Sequence, residues 1–371
     1  MENVACASLG YDTSAVITND GSLYTWGCGR YGRLGNGDDD NSIEPIKIMD
    51  NAVSVSLGFE AGAVITNDSS LFVWGYNLYG LGNGDSGPFK SPVKIMDNVK
   101  KVKLGGDNGA VITNDDVLYI WGSNIWGQLG NGETTDNMKS PVQVMDKVKD
   151  ISFGDYYCAI LSNSGDIYIC GRIVTNKGVI GTASVPTKLE ISQQAKEISC
   201  CGNTIYFIGE DNCLYEMVKH NSPVKIMENV KSIYLPSYGA YNIPWSVVVI
   251  KQDNSLWMST LEHNDFYSTT PKKIMENVKH MSCNVYQHYY RIAVIKEDGS
   301  LWMWGHNDNG ELGIGWDYDE IHKPQKVLTN VKSVTIGAVC IAIKKDESLW
   351  MWGHTEPGLR WIDDETDDYY D

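Results

Sequence analysis

The stretch ITNDGSLYTWG at 17–27 recurs along the whole chain. Four other sharp copies end in Trp-Gly: ITNDSSLFVWG at 65–75, ITNDDVLYIWG at 112–122, IKEDGSLWMWG at 295–305 and IKKDESLWMWG at 343–353. Three eroded copies, LSNSGDIYICG, IGEDNCLYEMV and IKQDNSLWMST, place Cys170, Met217 and Ser259 in the Trp column. The eight column positions, 26, 74, 121, 170, 217, 259, 304 and 352, are 42 to 49 residues apart, a period typical of solenoids, arrays and propellers.

Each unit alternates strand patterns with turn patterns, as the second copy shows. AVSVSLG, AGAVITND and SLFVWG are predicted to be its first three strands, with a tight turn at Asn-Asp. A Gly-rich stretch then leads to PVKIMDNV, the fourth strand, whose Pro is placed at the strand start. No stretch sustains a helical apolar period, and β-branched residues dominate. The sequence therefore predicts an all-β protein of four-stranded antiparallel blades.

The third strand of a unit is apolar on both faces. In the seventh copy, Leu301 and Met303 lie on one face, and Trp302 and Trp304 lie on the other. A strand of this kind is buried on both sides, as a blade between two neighbouring blades requires. The Trp column is thus predicted to pack the core, and an aromatic ligand cage is the weaker interpretation.

We expect a single β-propeller domain at 1–360 and an acidic C-terminal tail at 361–371, which carries six carboxylates. The repeat units are expected near 1–49, 50–97, 98–146, 147–193, 194–228, 229–276, 277–329 and 330–360. Strands one to three are predicted eight times, but strand four only seven times. An eight-bladed ring with one three-stranded blade, joined by pairing of the first and last segments, is favoured over seven blades with a spare unit.

Composition and charge restrict the partners. The chain is 42% hydrophobic, its net charge is −17, and it has no apolar run long enough to cross a bilayer. Phosphate backbones and anionic membrane surfaces bind clusters of Lys and Arg, so neither nucleic acid nor a membrane is an expected partner of this acidic chain. No signal segment is visible, and the nine cysteines are irregularly placed, which favours buried thiols over disulfides. We expect a cytoplasmic monomer.

No catalytic constellation is visible. The seven His are not grouped at metal-ligand spacing, and Asp38, Asp39 and Asp40 lack the alternating spacing of a calcium loop. The closely spaced Gly32 and Gly35 are predicted to supply positive φ in turns, because no helix opens after them as a phosphate loop requires. The sequence predicts no enzyme, no cofactor and no metal. A hydrolase or lyase acting from a central channel would need convergent polar residues that the sequence does not reveal.

Three segments carry a family resemblance. WGCGRYGRLGNGD at 26–38, WGSNIWGQLGNGE at 121–133 and WGHNDNGELGIGW at 304–316 are each followed by a Pro-containing strand. They resemble the repeat of the RCC1 (regulator of chromosome condensation) family, and the resemblance covers essentially the whole chain. It implies an RCC1-like β-propeller, commonly of seven blades.

The resemblance also implies a function for founding family members, which exchange guanine nucleotide on a small GTPase and dock on nucleosomes. This sequence contains neither the basic N-terminal extension of the nucleosome role nor a unit much longer than its neighbours, as the exchange role implies. The family often has His shortly after strand one, where this chain has Thr13, Ala61, Asn108 and Tyr157. Exchange activity is therefore kept as the alternative function.

The connections between strands one and two differ among units. They are short and polar in the first three copies, as in GYDTSA, but become LPSYGAYNIPWS at 235–246 and NVYQHYYR at 284–291. Equivalent connections project from one face of a propeller, so the aromatic residues of copies four, six and seven are predicted to form one arc. Its nine candidate protein-binding residues are Tyr156, Tyr157, Tyr238, Tyr241, Trp245, Tyr286, His288, Tyr289 and Tyr290.

Tyr and Trp offer large contact areas at low entropic cost, which suits a protein-binding surface. The sequence therefore predicts a non-catalytic propeller scaffold that binds another protein with acidic and aromatic residues together. The alternative is that these tyrosines fill space where the eroded repeats have lost their Trp.

Overall fold

The computed structural model describes residues 1–76, 80–85, 87–134, 137–175, 178–218, 222–235, 247–258, 271–286, 289–315, 320–337 and 339–353, without the side chains at 173–175, 178–180, 285, 286 and 289. These residues form eight antiparallel sheets in chain order, which we number as blades 1 to 8. Seven sheets have four strands and the last has three. The prediction of eight blades is confirmed, with three strands of the last blade among the described residues, and seven blades is not what forms.

The strands of the first four blades have the following bounds. Blade 1 contains β1 (Val4–Leu9), β2 (Thr13–Thr18), β3 (Leu23–Gly27) and β4 (Ser42–Met49). Blade 2 contains β5 (Ala52–Leu57), β6 (Ala61–Thr66), β7 (Leu71–Gly75) and β8 (Phe89–Met96). Blade 3 contains β9 (Val99–Leu104), β10 (Asn108–Thr113), β11 (Leu118–Gly122) and β12 (Met138–Met145). Blade 4 contains β13 (Val148–Phe153), β14 (Tyr157–Ser162), β15 (Ile167–Thr175) and β16 (Gly178–Lys188).

The second half of the ring repeats this order. Blade 5 contains β17 (Ala195–Cys201), β18 (Thr204–Gly209), β19 (Leu214–Val218) and β20 (Val224–Met227). Blade 6 contains β21 (Val230–Tyr234), β22 (Val248–Lys251), β23 (Leu256–Met258) and β24 (Lys272–Met275). Blade 7 contains β25 (Val278–Tyr286), β26 (Tyr289–Lys296), β27 (Leu301–His306) and β28 (Glu320–Leu328). Blade 8 contains β29 (Val331–Ile336), β30 (Val339–Lys344) and β31 (Leu349–Gly353).

Helix is almost absent from this architecture. The helical element in the described ranges is a single 3₁₀ turn at Arg30–Gly32. Within these ranges, no helix has the length and apolar character needed to cross a membrane.

The hydrophobic core lies between neighbouring blades, as the third strand of blade 7 shows. Leu301 and Met303 are fully buried in a cluster shared with blade 8. Trp304, on the opposite face, is buried in a cluster shared with blade 6. The predictions that this strand is buried on both sides and that the Trp column is a packing element are confirmed.

One backbone hydrogen bond repeats at every junction between blades. The first residue of each blade donates its N–H to a carbonyl in the β-turn of the preceding blade, as Val331 does to Gly299 at 2.9 Å. At the junction of blades 8 and 1, Val4 donates to the Glu347 carbonyl at 3.2 Å, and Leu349 donates to the Met1 carbonyl at 3.0 Å. The ring therefore closes with the bond used at its other junctions, and no strand ladder among the described residues crosses this seam.

The Gly-rich connections are turns, as predicted. Gly32 and Gly35 have φ values of +72° and +71°, a region that L side chains rarely adopt. A Cβ on Gly35 would also press into the Trp74 ring of the next blade. The glycines thus bring the connection against a neighbouring Trp.

The fourth strands of blades 1 to 4 and of blade 7 begin earlier than the sequence predicts. β8 starts at Phe89, so Pro92 lies at its fourth position instead of at the strand start. Pro is tolerated there because β8 is an outer edge strand, and its pairing with β7 is irregular between Val73 and Gly75.

Candidate protein-binding face

The propeller has two chemically different faces. In a four-stranded blade, the connection between the first and second strands and the connection between the third and fourth strands lie at the same end of the sheet. The pairs Thr13–Gly27 and Gly27–Ser42 show this for blade 1. We call this end the loop face. The opposite end carries the tight β-turns and the links between blades, and its short connections are dominated by Asn, Asp and Glu. The long and variable connections are therefore all on the loop face.

Blades 1 and 2 place an aromatic cluster on the loop face. Tyr11 and Phe59 come from the equivalent β1–β2 and β5–β6 connections, and their ring centroids are 4.5 Å apart. Tyr31 and Tyr76 come from the outer connections, with ring centroids 5.2 Å apart. Phe59 is 53% exposed, although it is a large apolar side chain. Exposed aromatic side chains grouped in this way are typical of a binding surface.

A second aromatic cluster spans blades 3 and 4. Trp126 and Tyr156 have ring centroids 6.0 Å apart. The Arg172 guanidinium lies 5.1 Å from the Trp126 centroid and 5.4 Å from the Tyr156 centroid, within cation–π range of both rings. The adjacent Ile125 is 55% exposed. Arg172 thus holds two rings from different blades beside an exposed aliphatic side chain.

Carboxylates accompany these aromatic residues in four consecutive blades. Asp12, Glu60 and Asp107 occupy the same position of the connection between first and second strands in blades 1 to 3, and Asp155 lies one position earlier in blade 4. Partial burial raises the pKa of Asp107 and of Asp155. A cationic group placed beside them would favour their charged forms. The loop face of blades 1 to 4 is therefore both aromatic and acidic.

Arg33 links two of these carboxylates. Its guanidinium forms an ion pair with Glu60 of blade 2 and lies 3.8 Å from the Asp12 carboxylate. Arg33 is 9% exposed, whereas Asp12 and Glu60 are 26% and 22% exposed. Arg33 therefore belongs to the junction between blades 1 and 2, while both carboxylates remain accessible.

The candidate residues predicted from the sequence lie in different environments in the structure. Tyr156 lies half-buried on the loop face, as described above. Tyr157 is 2% exposed, and its hydroxyl donates to the Thr204 carbonyl at 3.1 Å. The prediction that Tyr157 is a surface contact is wrong, because β14 turns its ring into the core between blades 4 and 5.

The remaining candidates lie in blades 6 and 7. Tyr238, Tyr241, Trp245 and His288 lie outside the described residues. The backbones of Tyr286 and Tyr289 pair with each other at the tip of the β25–β26 hairpin. Tyr290 is half-buried against the core between blades 6 and 7, and burial raises its pKa to about 12.

Sequence reasoning missed the aromatic residues of blades 1 to 3, namely Tyr11, Phe59, Tyr31, Tyr76 and Trp126. In the sequence these connections are short and mostly polar, and the pairing of single aromatic residues across neighbouring blades is not visible in one unit. One sequence feature could have indicated the first cluster: Tyr11 and Phe59 both directly follow the Gly at the end of the first strand of their units.

The inner ring also contains a cluster of charged residues. The first strands of neighbouring blades contact one another around the ring. On β9 and β13, the Lys101 and Lys103 ammonium groups lie 2.8 Å and 3.0 Å from the Asp150 carboxylate. On β17, the Glu197 carboxylate accepts the Ile233 N–H at 3.3 Å. These groups bridge neighbouring blades, so they contribute to the packing of the inner ring.

Asp150 gives the inner ring a pH dependence. Burial raises the pKa of Asp150, but Lys103 and Lys101 outweigh that effect and lower it overall. Because the folded pKa is below the unfolded value of about 3.9, the stabilisation is present above about pH 4 and is lost as pH falls through the folded pKa. We expect Asp150→Asn to melt at a lower temperature than wild type at pH 7, with a difference that shrinks towards pH 2. Melting curves between pH 2 and 7 would measure this, and a constant difference would contradict it.

Comparisons with known proteins agree with this architecture. A model of the regulator of chromosome condensation (RCC1) repeat matches residues 20–63, 115–161 and 298–341, and a second model of the same repeat matches residues 3–33. By fold, the protein is a closed eight-bladed β-propeller with an aromatic and acidic loop face. By sequence, it contains RCC1 repeats at the matched residues.

Solved structures share the fold at low sequence identity. Human WBSCR16 has a TM-score of 0.60 and 18% identity, with coverage of 91% of this chain and 85% of that chain. Prp20p of Saccharomyces cerevisiae has a TM-score of 0.56 and 16% identity, with coverage of 90% and 80%. Identities at this level establish the fold alone.

One curated relative shares a short segment. E3 ubiquitin-protein ligase HERC2 of Homo sapiens is 43% identical over 51 residues, which are 13% of this chain and 1% of HERC2. The chain matches only this small part of HERC2, so the similarity extends to a repeat and not to the whole ligase.

Proposed function

We propose that this propeller is a non-catalytic scaffold whose loop face binds another protein. The observation that carries the proposal is the pairing of aromatic side chains across blades 1 to 4, with Phe59 and Ile125 more than half exposed. Aromatic residues are over-represented among the residues that dominate binding energy at protein interfaces. The arc predicted from blades 4, 6 and 7 would extend the same face.

The chemistry of the face indicates the partner. Asp12, Glu60, Asp107 and Asp155 stand among the aromatic side chains, and the whole chain has a net charge of −17. We infer that the partner presents apolar side chains together with Lys or Arg. Opposite charges at such an interface increase the association rate and its dependence on salt.

RCC1-type propellers of known structure include protein binders. Prp20p has been described with its binding properties to Gsp1p and histones, and yeast RCC1 (Prp20) has been solved bound to Kap60. These partners belong to those proteins. They support the general class of function proposed for this chain.

The proposal is tested by a loop-face variant with Tyr11, Phe59, Tyr31 and Tyr76 all changed to Ser. Its matched control changes Val185 and Val224, which are 53% and 63% exposed on outer strands, to Ser. In affinity capture from the native cell extract, we expect a protein that the wild type and the control retain and the loop-face variant loses by about tenfold or more. Purified components should reproduce the loss.

Thermal melts decide what a loss of binding means. Since the four side chains lie at the surface, we expect the melting temperature of the loop-face variant to stay within a few degrees of wild type. Equal capture by all three proteins would contradict the proposal. A melting temperature far below that of wild type would show that the four side chains stabilise the fold by packing, and their assignment to a binding surface would fail.

Guanine-nucleotide exchange on a small GTPase is the alternative function. One observation favours it: the β15–β16 hairpin extends beyond the corresponding strands of the other blades, with Thr175 paired to Gly178 near its tip. A protruding element is what the exchange role implies by resemblance. Accelerated release of fluorescent GDP from a purified small GTPase would favour this alternative, and unchanged release would favour the scaffold.

A further inference from the structure

Among the described residues, no fourth strand pairs with β31, the outer strand of blade 8. In blades 1, 2, 3 and 7, a fourth strand covers the third, and Thr25, Val73, Ile120 and Met303 are at most 1% exposed. Met351 occupies the same position of β31 and is 42% exposed. The neighbouring Trp350 is 45% exposed. An open strand edge with uncovered apolar side chains is a site for the addition of another strand.

The chain itself contains a segment suited to this edge. In blade 5, five residues separate the end of β19 at Val218 from the start of β20 at Val224. Five residues also separate Gly353, the end of β31, from Leu359. The segment VKIME at 224–228 and the segment LRWID at 359–363 then align without a gap as apolar, basic, apolar, apolar and acidic residues.

The blade 5 ladder defines the expected register. Leu214 pairs with Met227, Tyr215 with Lys225, and Glu216 with Val224. The same register places Ile362 opposite Leu349, Arg360 opposite Trp350, and Leu359 opposite Met351. Within the strand, Lys225 and Glu228 form an ion pair at 2.5 Å. Arg360 and Asp363 have the same spacing and the same charges.

We propose that residues 359–362 dock on β31 as the fourth strand of blade 8. The docked strand covers Met351 and supplies the backbone partners of the open edge. It also fixes the acidic residues that follow it, from Asp363 onward, at the outer rim of blade 8. The acidic tail then begins two residues later than the boundary at 361 expected from the sequence.

Hydrogen exchange on the full-length protein tests the proposal. We expect amides in 349–353 to be protected to a degree similar to those in 301–305, the equivalent strand of blade 7, which β28 covers. Ile362→Asp should accelerate exchange in 349–353 by about tenfold or more, because a carboxylate cannot replace an apolar side chain against Leu349. The control Tyr369→Asp, outside the proposed strand, should leave exchange unchanged.

Other occupants give different results. If 349–353 exchanges rapidly in wild type, the edge is open in solution and the proposal is overturned. If its protection disappears on dilution while light scattering reports a dimer dissociating, the occupant is a second copy and the proposal is also overturned. Protection that is independent of concentration in a monomer, and lost in Ile362→Asp, supports it. The segment 118–122 of blade 3 serves as an internal control, since it must stay protected if the ring remains folded.

Discussion

Glu311→Ala is expected to destabilise the protein by about 3–5 kcal/mol, the cost typical of breaking a buried ion pair. Glu311 and Arg291 are 2% and 10% exposed, and the Arg291 guanidinium donates to the Glu311 carboxylate at 2.9 Å. Arg291 also donates to the Gly337 carbonyl of blade 8 at 2.6 Å. Removal of the carboxylate leaves a buried cation at the junction of blades 7 and 8.

The electrostatics of Glu311 agree with this expectation. Burial acts to raise the pKa of Glu311, but Arg291 and the hydrogen bonds from Asn309 lower it overall. The carboxylate is therefore charged at neutral pH, and its charge is compensated. Urea denaturation of the variant measures the loss of unfolding free energy.

A double variant separates charge from packing. In Arg291→Met/Glu311→Leu, both charges are replaced by apolar side chains of similar size, so the loss should be clearly smaller than in Glu311→Ala. A single variant within about 0.5 kcal/mol of wild type would contradict the assignment of a buried ion pair.

Trp74→Ala is expected to cost about 3–5 kcal/mol, because it empties a large volume between two blades. Trp74 is 0% exposed, and its indole N–H donates to the Arg33 carbonyl of blade 1 at 2.9 Å. The variant loses this hydrogen bond as well as the packing of the ring against Gly35.

The matched control is a Trp on the third strand of another blade that does not belong to the Trp column. Trp350 lies on β31 and is 45% exposed, so Trp350→Ala should cost less than about 1 kcal/mol. Chemical denaturation of both variants gives the comparison. Equal losses would show that the Trp column does not have the special packing role assigned to it.

The repeat made the fold predictable from the sequence. Eight copies of one strand pattern indicate eight similar sheets. The strand 301–304 has apolar residues on both of its faces, and it therefore requires a neighbouring blade on each face. The three-stranded form of blade 8 among the described residues was also predicted, because only seven fourth-strand segments are visible in the sequence. These features depend on local spacing, which is retained when the units stack.

The binding face was less predictable because it depends on contacts between units. Trp126 and Tyr156 belong to different connections and Arg172 to β15, and the stacking of blades 3 and 4 brings the three side chains together. The opposite error occurred at Tyr157, which is adjacent in sequence to Tyr156 but points into the core because neighbouring residues on a strand face opposite sides. The Arg291–Glu311 pair lies within one unit, but its members are 20 residues apart and the repeat pattern does not indicate their contact.

Closure of the ring at the seam between blades 8 and 1 is the central claim, because it distinguishes a propeller from an open array of stacked blades. The Asn19 amide of blade 1 donates to the Glu347 carboxylate of blade 8 at 2.7 Å. The equivalent bond joins Asn163 of blade 4 to Asp116 of blade 3 at 2.9 Å. The most direct test introduces nitroxide side chains, through a non-cysteine chemistry, at 19 and 347 in one variant and at 163 and 116 in another.

Dipolar broadening of the EPR spectra then compares the seam with an internal junction. A closed ring predicts strong and similar broadening in both variants, because the two turns are neighbours in each case. Strong broadening for 163 and 116 with none for 19 and 347 would show an open array of blades, and would contradict the account.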